Sequence, residues 1–574
     1  MFLPVTRAEL RKAPPDIILV TGDAYVDAPH IGVAVIGRVL EDAGFTVGVI
    51  AQPDVSSADA DIKRLGAPRL FWGVTGGCVD SLVANRTALG KPRRTDDMTP
   101  GGKNDRRPDR AAIVYANLIR RAFGKTAPIV LGGIEASLRR VSHYDYWSDT
   151  IRRPLILDAK ADVLVYGMAE ETVVLLARAY ARGEDVRGIP GIAVMEKQAR
   201  PDYLSAPSHE DCVKDPSAFS ALFPLVMENS EQPGAAGICQ PCGDRVLVVN
   251  PPAAPLSPAE LDRVHELCYM RDAHPYYKSK GEVRAVSTIA NSLASHRGCF
   301  GGCSFCAIAA HQGRRVVSRS VASLLSEARA LAKLPGFSGV ISDVGGPTAN
   351  MYGMSCPVWE KSGPCRDRLC LFPEPCRNLR FAHREQIALL KSLAGVEGMK
   401  RVFVGSGVRH DLVTADRAYG GRYLAELCAG FISGQMKIAP EHIEDAVLRL
   451  MKKPGRAALD AFLELFSRAR ERAGKKVFLT YYFMAAHPGC TLSHMRKLSE
   501  YAENTLRITP EQVQVFTPTP MTLATLLYAT GRDPATGEKV IVERGIKGKA
   551  AQKSALAPAG PLPQIPRRRR AVPK

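Results

Sequence analysis

Apolar residues recur along the first 200 positions in two alternating rhythms. Nearly continuous runs at Asp16 to Asp23, Thr46 to Gln52, Leu70 to Gly76, Pro128 to Gly133 and Val163 to Gly167 read as strands buried on both faces. Between several of them apolar positions return at helical spacing, with Ile31, Val35, Val39 and Leu40 marking the inward side of the first segment. This alternation predicts an N-terminal α/β domain, a doubly wound parallel sheet over residues 1–200. Its strands run into Gly22, Gly76-Gly77, Gly132-Gly133 and Gly167. Such a rim at the carboxyl ends of parallel strands is where ligands bind, although tight strand-to-helix turns alone account for the same glycines. The first turn, Gly22-Asp23-Ala24-Tyr25, lacks the three-glycine dinucleotide pattern, so a nicotinamide cofactor is not expected.

Residues 201–283 are richer in Pro, Ser and Gly and read as a connector or irregular subdomain. A second alternating series then runs over residues 284–531. Its strand candidates are Ala285 to Ala290, Gly339 to Val344, Arg401 to Gly405, Gln435 to Ala439, Val477 to Phe483 and Val513 to Phe516. Helical patterns separate them at Val321 to Leu334, Arg384 to Leu393, Glu441 to Met451 and Ala457 to Ala473. Six repeats of strand then helix predict parallel strands with right-handed crossovers, closing as an incomplete, partial (β/α)6 barrel with its chemistry at the carboxyl ends. Residues 350–380 form a Cys-rich insertion, and residues 532–574 read as a basic, Pro-rich tail.

Composition narrows the function. The 574 residues are 46% hydrophobic and 24% charged, as in globular proteins. The chain start lacks the apolar stretch of a secretory signal, and no run approaches the roughly 20 apolar residues of a membrane span. A soluble cytoplasmic protein with no membrane partner is the expectation. The formal charge is +19. Lys547 to Lys574 contribute eight Lys or Arg and no acid, ending in Arg567-Arg568-Arg569-Arg570. That segment reads as disordered and solvated, with RNA contact as the alternative.

In a reducing compartment, clustering among the fourteen cysteines points to metal binding or catalysis rather than disulfides. Seven fall between Cys299 and Cys376. Cys299-Phe300-Gly301-Gly302-Cys303-Ser304-Phe305-Cys306 gives C-x3-C-x2-C after the first strand of the second series. Three thiolates on one loop can hold three irons of a cubane cluster and leave the fourth without a protein ligand. Gly301 and Gly302 let the loop curl, and Phe305 can cover the cluster from water. Zinc held by these thiolates with His296 or His311 is the alternative, but zinc ligands usually come as two distant pairs.

At these residues the chain resembles the radical S-adenosylmethionine superfamily, whose signature is C-x3-C-x-(aromatic)-C. More closely it resembles the YgiQ-type family, in GVAVIGRVLEDAGFTVGVIAQPD (Gly32 to Asp54), LGGIEASLRR (Leu131 to Arg140), HYDYWSDTIRR (His143 to Arg153), RGCFGGCSFC, GVISDVGGPTANMYG (Gly339 to Gly353) and KIAPEH (Lys437 to His442). The resemblance implies a 4Fe-4S cluster on Cys299, Cys303 and Cys306 whose open iron chelates S-adenosylmethionine. It also implies reductive cleavage to a 5′-deoxyadenosyl radical, an unidentified substrate, and an electron donor such as flavodoxin or ferredoxin. Gly345-Gly346-Pro347-Thr348 resembles the Gly-Gly-Glu-Pro segment that meets the methionine amino group; with Pro347 in place of Glu, backbone carbonyls must supply that contact. Ser406 and Arg409 in GSGVR are placed to meet the ribose or the carboxylate, or simply to form a turn. Lys437 and Glu441 flank the fourth strand's end, to pair with cofactor, substrate or each other. The first domain resembles cobalamin-binding sheet domains. Histidine-ligated cobalamin needs Asp-x-His-x-x-Gly, however, and Asp27-Ala-Pro-His30-Ile-Gly32 has the wrong spacing.

Cys356, Cys365, Cys370 and Cys376 lie within 21 residues and suggest a second, closed metal site, either zinc or an auxiliary iron-sulfur cluster; without metal the Pro-rich insertion has little to order it. Cys239 and Cys242 form a lone C-x-x-C with weak metal potential. His487 reads as a hydrogen-bonded structural histidine, with acid or base chemistry as the alternative. The run His143 to Asp149 lines a pocket or packs an interface. Two other readings stand beside the favoured one: an RNA-modifying radical enzyme, and a non-catalytic zinc and nucleic-acid-binding module.

Overall fold

The computed structural model describes residues 1–556 apart from 11–13, 58–59, 228, 233 and 366. Its first half is a nine-stranded sheet. In chain order the strands are β1 Ile17–Thr21, β2 Val47–Ala51, β3 Phe71–Thr75, β4 Ile129–Leu131, β5 Val163–Val165, β6 Ile192–Glu196, β7 Leu204–Ser205, β8 Ile238–Cys242 and β9 Arg245–Val249. They lie side by side as β7-β8-β9-β6-β5-β4-β3-β1-β2. The five strands read from the sequence, β1 to β5, are mutually parallel. Their unbroken apolar character follows from burial on both faces: Ile18 and Val20 of β1 enter one core, Ile17 and Leu19 the other. Helices α1 (Gly32–Asp42) and α2 (Glu170–Arg182) pack together over the second core. Gly37 lets α1 approach closely, since a Cβ there would stand 2.4 Å from Leu3 Cδ1.

The stretch expected to be a connector instead supplies β7, β8 and β9. The β8–β9 hairpin turns at Gly243, whose φ of 63° a glycine adopts freely. The β8–β9 and β9–β6 pairings are antiparallel, so this edge lacks the strand-helix rhythm that made β1 to β5 visible. Cys239 and Cys242 both lie in β8 and enter opposite cores, which removes the C-x-x-C metal reading.

The second half brings β10 Ser292–Ala294, β11 Val340–Ile341, β12 Asp343–Gly345, β13 Arg401–Val402, β14 Gln435–Glu441, β15 Phe478–Ala485 and β16 Gln512–Val515. Each pairing along this series is parallel, with a Val408–Ile438 bridge joining the third strand position to β14. One large core of Leu, Ile, Val and Phe fills it. Two boundaries differ from expectation. Residues Val286–Ile289 form a helical turn rather than the first strand, docked by the Ala285 N–H donating to Asp97 O at 3.0 Å, and β10 begins six residues later. The helix expected from Glu441 begins at Asp445, because β14 carries an irregularity between Ile438 and Glu441 and continues to Glu441 itself.

Part of the expected basic tail is folded. Residues Ile546–Leu556 form helix α3, with Lys549, Gln552 and Leu556 buried. The Gln552 side chain accepts from Ala486 N at 2.8 Å and donates to Cys490 O at 3.2 Å, fastening α3 to the end of β15. The remainder of the expected tail, 557–574 with its four arginines, lies outside the described residues. Among the described residues no helix is long and apolar enough to cross a membrane.

Candidate functional site

The cysteine loop follows β10 and the short strand His296–Arg297. A Cβ at Gly301 would stand 3.2 Å from Cys299 Sγ, 3.8 Å from Cys303 Sγ and 3.0 Å from Arg409 Nη1. Glycine is thus what allows the two sulfurs and a guanidinium to gather over the loop backbone. Thr348 Oγ1 lies 3.5 Å from Cys299 Sγ, and the Gly301 N–H donates to that sulfur at 3.4 Å. Burial pushes the Cys306 thiol up to about 12, with Cys303 and Cys299 adding to the effect. A thiolate there needs compensating positive charge. Among the described residues no three His, Cys, Asp or Glu side chains converge as a single metal ion requires. Cys299 and Cys303, gathered around Gly301, and Cys306 three residues further along the same loop are the donor type that iron-sulfur clusters use.

The loop is pinned from the fifth strand position. His487 is buried, with Nδ1 2.8 Å from Pro488 O and Nε2 3.2 Å from Ser304 Oγ, so both nitrogens are engaged. It makes the hydrogen bonds expected of a structural histidine. Phe305 meets its ring edge-on at 6.1 Å and stays half-buried beside the loop.

The other expected contacts sort differently. Arg409 donates from Nη1 to Cys303 Sγ at 3.5 Å, while Nε and Nη2 grip Asp411 at 2.9 and 2.6 Å. Burial alone would lower this guanidinium's pKa, but Asp411 and Cys303 hold it above the ordinary value. Asp411 in turn is held down to about 2: burial opposes this, and Arg409 outweighs it. The arginine is thus held between Asp411 and the cysteine loop. Ser406 is likewise engaged, its hydroxyl on Asp343, whose Oδ1 also accepts the N–H groups of Gly405 and Ser406. Gly345 O accepts from Ser295 N and Oγ at 2.7 and 3.0 Å, so it is not a free carbonyl. At Gly346 a Cβ would strike His296 at 2.6 Å. Lys437 is exposed and makes no ion pair with Glu441. Glu441 is buried with φ 70° and its pKa raised to about 7 by burial, against the opposing pull of Lys453 and Arg409. Asp343, Asp411 and Lys453 were not visible as site residues, because only the topology brings them to the strand ends.

The second cysteine group is ordered by packing. Cys356 and Cys370 are buried with Phe300, Met351, Met354 and Leu371 in a small apolar core, and Pro357–Ser362 forms a helix with its proline at the first turn. The insertion thus has the internal support that its proline content seemed to deny. His143 to Asp149 pack an interface: Tyr144 and Tyr146 lie 6.0 and 5.8 Å from the Tyr528 ring.

At the first half's glycine rim is a cavity of about 490 Å³, bounded by Gly77, Gly132 and Gly167 on the sheet side and by Ile308, Gly346 and Pro347 on the other. An Arg297–Glu170 ion pair joins the two halves at its edge.

Family models divide the chain where the two halves meet. Residues 2–292 match the Radical SAM N-terminal family, 293–502 the Radical SAM superfamily, and 511–559 a domain of unknown function (DUF3362). A UPF0313 protein of Fusobacterium nucleatum is 49% identical over 96% of this chain and 98% of its own length. One from Thermotoga maritima is 45% identical over 96% and 98%. Among solved structures, the radical S-adenosylmethionine methyltransferase TsrM from Kitasatospora setae is similar at a TM-score of 0.49, with 17% identity, 89% of this chain and 75% of that one covered. The cobalamin-dependent S-adenosylmethionine radical enzyme OxsB follows at 0.47, with 12% identity and coverages of 90% and 55%. With the two radical SAM models end to end and relatives matching nearly residue for residue in length, this chain belongs to the UPF0313 family of radical S-adenosylmethionine enzymes.

Proposed function

We propose that Cys299, Cys303 and Cys306 hold a 4Fe-4S cluster, and that the enzyme uses it to cleave S-adenosylmethionine reductively and abstract hydrogen from a substrate at the rim cavity. The observation that carries this reading is the gathering of Cys299, Cys303 and the Arg409 guanidinium around Gly301. Bound together, cluster and S-adenosylmethionine supply a 5′-deoxyadenosyl radical, chemistry that belongs to the cofactors.

The chain's own residues orient and insulate. Arg409, fixed by Asp411, offsets thiolate charge in a dry setting where an uncompensated anion is costly. Ser304 and His487 fix the loop, and Phe305 limits water access. Gly346 and Thr348 border the site from the second strand's end, and we read the parallel series as an incomplete barrel whose mouth opens on the sheet rim. Lys453, whose charge acts on Glu441, and Glu441 itself are the groups we assign to the polar end of S-adenosylmethionine. An external electron donor is required, since each reductive cleavage consumes one electron from the cluster.

Anaerobic purification tests the proposal. The native chain should carry about four irons for this site and release methionine and 5′-deoxyadenosine from S-adenosylmethionine with dithionite, and Cys303→Ala should lose both. Iron retention with full cleavage in Cys303→Ala would overturn the assignment.

A further inference from the structure

The rim cavity continues inward, into a layer that folded proteins normally fill. Leu19, Phe71, Val130 and Val165, from four adjacent strands, line one side, and Val35 of α1 and Val173 of α2 the other. Protein interiors seldom leave gaps much larger than a water molecule, because the lining forfeits its dispersion contacts. A gap of about 490 Å³ between a sheet and its covering helices is instead within the roughly 300–1,000 Å³ of small-molecule sites.

Its charges are spoken for. Asp23 pairs with Arg107, and Glu170 with Arg297. The four bordering histidines carry no compensating charge: burial lowers His30 to about 3 and His296 and His311 to about 4, and takes His265 well below its ordinary value. An ionic ligand would enter without a counter-charge, at a large desolvation cost. The border is nevertheless polar: His30 Nδ1, His265 Nδ1, His296 Nε2 and Glu170 Oε2 are buried with no hydrogen-bond partner. Unmade bonds of this kind are expensive, and several around one cavity mark a place where a bound molecule has bonds to offer.

We infer that the cavity binds an uncharged molecule, with an apolar tail seated between the sheet and helices α1 and α2 and a hydrogen-bonding head beside Gly346 and Pro347. That this molecule is the substrate rests on the radical reading above; its chemical class rests on the cavity alone. A phosphate-bearing nucleic acid is disfavoured as the occupant, since no unpaired cation borders the space.

The test uses anaerobically purified full-length protein and two dyes, uncharged Nile red and anionic 8-anilinonaphthalene-1-sulfonate. Nile red should bind saturably at one per chain with blue-shifted emission, and the anionic dye should not displace it. Ile134→Trp, which fills the cavity from the rim, and Cys78→Phe, at an exposed rim position, should each weaken Nile red by at least about tenfold. Circular dichroism melts verify that both variants fold, and at least one must do so for the comparison. No saturable binding, affinity unchanged in a folded variant, or equal displacement by the anionic dye would each overturn the inference. Iron content and S-adenosylmethionine cleavage by the native chain are read separately, so failure of the radical chemistry is not mistaken for failure of the cavity.

Discussion

Arg409 Nη1 lies 3.5 Å from Cys303 Sγ while Asp411 holds the other side of the same guanidinium. A buried cation and N–H at a cluster thiolate favour the reduced state, which carries one more negative charge. Arg409→Gln should therefore move the cluster's midpoint potential to more negative values, read by redox titration with electron paramagnetic resonance. It should also cost about 3–5 kcal/mol of stability by stranding Asp411. Pairing it with Asp411→Asn should restore part of that stability without restoring the potential. An unshifted potential in Arg409→Gln would separate the arginine from the cluster.

The Cys356 to Cys376 group makes a contrasting prediction. Since Cys356 and Cys370 are already buried in an apolar core, their thiols have a packing role that needs no metal. Cys365→Ala and Cys376→Ala should leave iron and zinc content by elemental analysis equal to that of the native protein. Cys370→Ala should lower stability by about 1–2 kcal/mol through the lost sulfur volume. Loss of metal from Cys365→Ala would show a second site after all.

What the sequence revealed follows from which interactions are local. Strands β1 to β5 announce themselves because a central parallel strand is apolar on both faces. Strands β7 to β9 do not, because they are edge or antiparallel strands, one containing Pro241, within a stretch dominated by turn residues. The apolar run Ala285 to Ala290 was ambiguous between strand and helix on its own, and contact with Asp97 decides it. At the site the cysteine spacing is a local fact and was legible. The Arg409–Cys303 contact spans 106 positions and had no local signal. Nor did the pairing of Ser406 with Asp343, 63 positions away in the chain.

Glu441 should leave a signature in the pH dependence of stability. Its folded pKa of about 7 lies above the ordinary 4.5, chiefly through burial, so between these values the folded chain keeps a proton that the unfolded chain has lost. Stability from this group is therefore full below pH 4.5 and falls as pH rises through 7, by about 3 kcal/mol. Glu441→Gln cannot titrate. Urea unfolding should show the variant gaining on the native protein across that window and holding a constant lead above it, whereas a flat difference would place the carboxyl in a wetter setting.

Lys549 is 1% exposed and donates to Tyr146 OH at 2.7 Å and Tyr528 OH at 2.9 Å, joining α3 to both halves of the chain. Its ammonium also lies 4.5 and 4.9 Å from those two ring centroids. Lys549→Ala removes both hydrogen bonds, the cation–π contacts and the packed stem, a loss of about 2–4 kcal/mol. Lys549→Met keeps the stem and should recover roughly half of it. Burial lowers the lysine's folded pKa to about 8 from 10.5, so the unfolded chain binds the extra proton in that interval and the native protein should gain on Lys549→Met as pH rises from 8 to 10.5. Thermal melts of the three proteins at pH 7 and pH 10 measure both effects. Equal melting temperatures for native and Lys549→Ala would mean that the lysine's hydrogen bonds and ring contacts add nothing to the docking of α3.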